Sequence, residues 1–173
     1  MAISLYDLSV TAYLQGLNGV STFMEKGLAH CQANGIDLGE VLETRLYPDM
    51  RPFSYQIVSV THHSRGAIEA VQAGVFSPPA AETALDYAGL QKLVADARTA
   101  LAAVKRETVD ALEGRDVAFQ LGDRQMPFVV QDFLMSFSLP NFYFHATTAY
   151  DILRMKGAPI GKRDYMGGMR LKA

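Results

Sequence analysis

Apolar positions recur every three to four residues through most of the chain, and a few glycines and prolines break the pattern. Between residues 3 and 33, Leu5, Ala12, Gly16, Gly19, Phe23 and His30 fall on one line at helical spacing, and Tyr6, Tyr13, Leu17, Val20, Met24 and Cys31 fall on the line beside it. An apolar arc this wide predicts a long first helix packed against two neighbours. Gly16 and Gly19 weaken an isolated helix, so their expected use is to let another helix come close. Asn34-Gly35 is a helix stop. Residues 36–51 read as a connector with a short helical turn at LGEVLE, closed by the two prolines of LYPDMRPF.

Pro52 suits the first turn of a second helix. That helix is expected to run to about Gly74, with Phe53, Ile57, Val60, Ser64, Ala67, Ile68 and Val71 on its core face. VFSPPAAETALDY reads as a loop centred on Pro78-Pro79. Leu90, Leu93, Val94, Ala97, Leu101, Val104, Thr108 and Leu112 then predict a third helix over 87–113, stopped by Gly114. The period changes in DVAFQLGDRQMPFVV. Val117, Phe119 and Leu121 alternate with polar or small residues, and so do Met126, Phe128 and Val130, which predicts a β-hairpin turning at GDR. Pro127 marks an edge strand. Helix four follows as a short turn over 131–138 and a main segment from Pro140 to Lys156, ended by Gly157 and Pro159. The Gly-rich, basic tail GKRDYMGGMRLKA is expected along the surface. Four long helices, with a small hairpin insert between helices three and four, make an all-α four-helix bundle. The expectation is one domain over 1–173.

Composition narrows the class. Apolar residues are 49% and charged residues 20% of 173, which suits a chain with a real core. The net charge of −2 gives no electrostatic footprint for nucleic acid or an anionic membrane surface. No apolar stretch reaches the roughly 18–20 residues that span a bilayer. The opening MAISLYDLSV has neither a basic n-region nor a continuous apolar run, so no secretory signal is expected there. Cys31 is the one cysteine and cannot form an internal disulfide. A reducing, cytoplasmic location is expected.

The histidines can be placed by turning 100° per residue. His62 falls on the side opposite the apolar stripe of helix two, beside Arg65 and Glu69, and should face water. His63 falls at the flank of that stripe. On helix four the core stripe is Phe142, Ala146, Ala149 and Leu153, and His145 falls at its flank. His30 lies inside the stripe of helix one. Two flank histidines on different helices can converge on a cleft, which is how bundles build sites. The competing reading is a pair of structural histidines, each hydrogen-bonded to a nearby group. No Cys pair, H-E-x-x-H or Glu-x-x-His spacing is present, nor a strand-led phosphate loop or nucleophile elbow.

The phrases LYPDMRPFSYQI, HHSRGA and above all PNFYFHATTAYDILRMKGAPIGKRDYMG resemble a bacterial and fungal domain-of-unknown-function family within the DinB/YfiT-like metalloenzyme superfamily. The resemblance covers nearly the whole chain. It implies a four-helix bundle, often dimeric. In the better-known superfamily members a histidine triad binds a divalent metal, with one ligand from helix two and two spaced i, i+4 on helix four. Some of these are thiol S-transferases that use low-molecular-weight thiols. By that resemblance His63 matches the helix-two ligand and His145 the first helix-four ligand. Ala149 stands at the third position and cannot coordinate. Asp49, Tyr150 or Asp151 are the available substitutes, although Asp151 points away from the core stripe. Two imidazoles fall short of the three protein ligands usual for catalytic zinc. No cofactor is therefore expected, with a divalent metal, Zn or Ni, as the alternative.

These readings converge on a small-molecule pocket flanked by His63 and His145, a degenerate metal site. Asp49, Asn141, Tyr143 and Tyr150 are candidates for further polar contacts. Simple packing is the competing role for the two tyrosines, and a turn or N-cap role for Asp49. The alternative function is a metal-dependent enzyme of the thiol S-transferase or hydrolase type. Phe144, Thr148 and Met155 form a second stripe on helix four, opposite Phe142 and Leu153, so a homodimer through helix four is expected.

Overall fold

A computed structural model of the chain describes residues 3–79 and 84–172. The Ser4 hydroxyl accepts the Asp7 N–H and caps a short helix α1 (Leu5–Leu8). The backbone breaks at Ser9, whose hydroxyl donates to the Leu5 carbonyl at 2.7 Å, and α2 (Val10–Asn34) resumes beyond it. The helix expected over 3–33 is thus two pieces, because a serine that bonds back to the preceding turn competes with the helical ladder. Gly35 ends α2 in the left-handed region, at φ 65°. The helical turn expected at LGEVLE is α3 (Leu38–Glu43), capped by Asp37.

The second long rod begins after Pro52. It consists of α4 (Phe53–Thr61), a first π turn (His62–Gly66) and α5 (Ala67–Ala73), and it ends at Gly74. Every residue expected on its core face, from Phe53 to Val71, is buried. The next segment departs from expectation. Val75–Phe76 is a strand, β1, rather than loop. Two residues are too few to display a period, and the strand exists only through its partner. Part of that expected loop, 80–83, lies outside the described residues.

The third rod begins with α6 (Tyr87–Ala102), capped by Asp86, and bends before α7 (Arg106–Asp110). The bend corrects the continuous helix expected over 87–113. Its cause is distant in sequence: Asp110 accepts the Tyr6 N–H at 2.8 Å, and Arg106 grips both oxygens of Asp7. These bonds draw α7 to α1. The hairpin is β2 (Asp116–Leu121) and β3 (Arg124–Val129), paired antiparallel around Gly122-Asp123. β1 pairs parallel to β2, so the sheet order is β1-β2-β3 and the Pro127 strand lies at the edge.

The last rod joins α8 (Val130–Asp132), a second π turn (Phe133–Ser138) and α9 (Leu139–Met155) without interruption. α10 (Lys162–Met166) follows in the tail. The tail does more than lie along the surface. The Tyr165 carbonyl comes so near Gly19 of α2 that a Cβ there would stand 2.0 Å from it. Lys26 meets Asp164 at 2.6 Å, and Gln15 donates to the Met166 carbonyl. Gly16 accepts a different neighbour, the Phe142 ring of α9. Both glycines therefore permit close approach, one to a helix and one to the tail.

α4 packs along α9 and α2 along α6, and α4–α6 and α2–α9 contacts complete the core. Tyr13, Phe23, Phe53, Tyr87, Phe133 and Phe142 are fully buried in it. Each such side chain contributes about 1.5–3 kcal/mol of transfer free energy. Among the described residues no helix is long and apolar enough to cross a membrane.

Candidate functional site

The two π turns face each other, and His63 stands between them. A π turn adds a residue to the helical repeat, so the 100° rule fails where it occurs. In the first π turn, His63 is carried from the expected flank into the interior, at 8% exposure. His62 is turned as well. It does not face water as expected: its ring rests 4.4 Å from Phe76, and its Nε2 donates to the Ser77 carbonyl at 2.7 Å. On the other side, Ser138 closes the second π turn. Its hydroxyl donates to the His63 carbonyl at 2.8 Å and accepts from the Tyr13 hydroxyl at 2.9 Å. A buried chain of hydrogen bonds thus ties both π turns to α2.

His145 reaches the same place from α9. The centroids of its ring and that of His63 are 5.9 Å apart, with the planes 17° from parallel. Its Nδ1 lies 2.7 Å from Oε1 of Gln56, a residue with 1% exposure. Gln56 in turn donates Nε2–H to the Arg51 carbonyl at 2.8 Å. That bond leaves only the amide oxygen facing the histidine, so His145 must carry its proton on Nδ1. Its Nε2 then presents a lone pair. A buried side chain thereby selects one tautomer, as the outer partners of ligating histidines do.

His63 has no comparable partner. Its Nδ1 is buried and meets no hydrogen-bond acceptor or donor among the described residues. Its ring sits against Phe76 at 5.3 Å and Phe137 at 5.6 Å, and the phenylalanines of the sheet and of the second π turn extend this cluster through Phe119, Phe128 and Phe133. Burial in this apolar wall, followed by repulsion from His62 and His145, pushes the His63 pKa down to about 3. Burial alone lowers that of His145 to about 4. At neutral pH both rings are uncharged. The pair therefore offers no imidazolium to an anionic ligand. It offers two neutral imidazoles among aromatic rings.

The remaining expected site residues lie elsewhere. Asp49 is exposed in the turn between Tyr47 and Met50. Asn141 donates to the Phe137 carbonyl one turn back. Tyr150 packs on Phe23 and Tyr165 and donates to the Ile160 carbonyl. Tyr143 lines a separate groove beside the tail. His30, on the stripe of α2, donates Nε2–H to the Lys156 carbonyl at the end of α9 and accepts from Asn34, which is a structural role. The Cys31 thiol is buried, and that burial pushes its pKa up, away from reactivity.

The residues fit a three-ligand metal centre poorly. Among the described residues no three of His, Cys, Asp and Glu come together to hold an ion. Ala149, at the third position of the expected triad, is fully buried and presents only a methyl group. Gln56, the polar side chain nearest His145, has its oxygen committed to the Nδ1 proton.

Sequence reasoning missed Gln56, Tyr55, Ser138 and Phe76. Tyr55 stands edge-on to His145 at 6.0 Å and lines a hollow of about 410 Å³ that runs toward Leu85 and Leu90. Gln56 had a signal: it is two helical turns before His63, a polar residue on an apolar face. Ser138 and Phe76 had none, because each is defined by what it meets across the fold.

The sequence matches a family described as Domain of unknown function (DUF1993) over residues 5–166. The fold is similar to that in the crystal structure of a DinB family member protein from Shewanella denitrificans, with TM-score 0.81 and 24% identity over 98% of this chain and 95% of that one. No curated protein matches the sequence.

Proposed function

The chain belongs to the DUF1993 family, and from that premise we propose that it is a DinB-like four-helix-bundle protein that binds a small uncharged molecule at the His63–His145 pair, the remnant of a metal site. The observation that carries this reading is the buried Nδ1 of His63, without a partner among the described residues, beside a His145 whose tautomer Gln56 has chosen. Unpartnered buried polar atoms are uncommon and call for a ligand or a bound water. The Nε2 lone pair of His145 favours a ligand that donates a hydrogen bond, such as an alcohol, thiol or amide, over a carboxylate or phosphate. The aromatic wall of Phe76, Phe137 and Tyr55 suits an apolar body.

A thermal-shift screen of small neutral donors tests it. A ligand that binds only the folded state raises the melting temperature by mass action. The expected hit stabilises the wild type and not His145→Ala, and it moves the imidazole resonances of His63. Hits that stabilise both proteins equally would place binding elsewhere.

The second reading is a metal-dependent enzyme of the thiol S-transferase or hydrolase type. One observation favours it: the free Nε2 lone pair of His145 is the state a ligating histidine needs. Elemental analysis of freshly purified protein, with His145→Ala beside it, separates the two. Stoichiometric zinc or nickel that disappears in the variant supports the second reading.

We further propose a homodimer through α9, where Phe144 and Met155 are more than half exposed. Thr148, expected on the same stripe, is buried instead, with its hydroxyl turned to the Phe144 carbonyl. Light scattering at micromolar concentration should give twice the chain mass, and Phe144→Glu should give the single chain.

A further inference from the structure

A groove separate from the histidine pair opens between α2, α9 and the tail. Its volume is about 190 Å³, below the roughly 300–1,000 Å³ of pockets for drug-sized ligands. Gly16 and the Phe142 ring form its apolar base, and Gln15, Tyr143, Tyr165 and Arg170 stand around it. The wall on the tail side is anchored. Gln15 holds the Met166 carbonyl, Lys26 holds Asp164, and Gly167 turns at φ 63° where a Cβ would strike the Gln15 carbonyl at 2.3 Å.

The lining carries one formal charge, and it is positive. Arg170 is the only ionised side chain on the lining, no carboxylate is among those residues, and Arg170 makes no ion pair among the described residues. Tyr143 makes no hydrogen bond to protein among the described residues, and burial pushes its hydroxyl pKa up, so it remains a donor. Tyr165 shares a hydrogen bond of 2.9 Å with the Thr147 hydroxyl. When Thr147 is the donor, the Tyr165 proton is free to turn into the groove. One guanidinium fork and two phenols match a carboxylate, which accepts a bidentate arginine and further donors on its remaining lone pairs. A phosphate dianion would leave a charge uncompensated.

We propose that this groove binds a small carboxylic acid with an apolar body, its carboxylate held by Arg170 and the hydroxyls of Tyr143 and Tyr165, and its body laid on Phe142 and Gly16. The tail is then part of a binding site, and α10 positions Tyr165 for it.

Benzoate is the probe, with benzamide as its uncharged counterpart. Titration of benzoate to about 10 mM, a concentration that detects even weak binding, should move the side-chain resonances of Tyr143, Tyr165 and Arg170. Benzamide should bind at least about tenfold more weakly, and Arg170→Gln should weaken benzoate by about tenfold or more. Tyr143→Phe should cost about threefold to tenfold. His145→Ala should leave the affinity unchanged. The proposal is overturned by silent groove resonances, by benzamide binding as well as benzoate, or by equal benzoate affinity in Arg170→Gln. The comparison of benzoate with benzamide needs only the wild type, so it decides the matter even where a variant folds poorly.

Discussion

The imidazoles of His63 and His145, carried by different helices, stack 5.9 Å apart, and burial keeps both neutral. This relationship sets the acid response of the protein. The folded pKa values are about 3 and about 4, against an ordinary 6.5. Between pH 6.5 and about 4 the unfolded chain therefore binds protons that the folded chain refuses. Stability rises with pH wherever the unfolded state holds more protons. It should be level above about pH 7 and fall as the pH drops through 6.5, by up to about 1.4 kcal/mol per pH unit for each histidine. Urea unfolding at about pH 7.5, 6 and 5 measures this. His145→Gln should flatten the slope across that window, and a slope left unchanged would remove His145 from the acid response.

Gln56→Leu should cost about 1–3 kcal/mol, because it leaves the Arg51 carbonyl and the His145 Nδ1–H without their buried partner. The sharper readout is nitrogen NMR of the ring. The wild type should show His145 as a single tautomer protonated on Nδ1, and the variant a mixture. A mixture in the wild type would contradict the hydrogen-bond assignment.

Ser138→Ala removes the link between the two π turns. The Tyr13 hydroxyl and the His63 carbonyl both lose their partner, so a loss of about 1–3 kcal/mol is expected from chemical denaturation. Ser136→Ala, on the exposed side of the same turn, should stay within about 0.5 kcal/mol. Equal effects at the two serines would show that the bridge carries no stability.

Gly19→Ala places a Cβ 2.0 Å from the Tyr165 carbonyl, and backbone cannot step aside as a flexible side chain can. The expected outcome is a loss of about 1–3 kcal/mol and release of α10, seen as faster proteolysis within 157–167. Gly161→Ala is the contrast, since nothing lies within 4 Å of a Cβ there and its φ of −134° suits any residue. Proteolysis that is equally slow in Gly19→Ala and the wild type would refute the docking role of Gly19.

Local pattern carried far in this chain. The buried face from Phe53 to Val71 follows from helical period, the β2–β3 pairing from alternation around GDR, and the edge position of Pro127 from its missing N–H. Each is a property of residues close in sequence, which one period or one lost donor is enough to express. That His145 lies on an inward flank belongs to the same class.

What followed only from the packed chain shares one feature: its cause lies far away in sequence. The bend before α7 depends on Asp7 and Tyr6, β1 on its pairing with β2, and the dock of α10 on Gly19. The first π turn rotates His62 and His63 away from the angles a regular helix assigns, so the depth of His63, an Nδ1 without a partner among the described residues and its distance from His145 could not be counted off a helical wheel. Hydrophobic period is written residue by residue, whereas a buried polar atom gains or lacks its partner only when remote segments close around it.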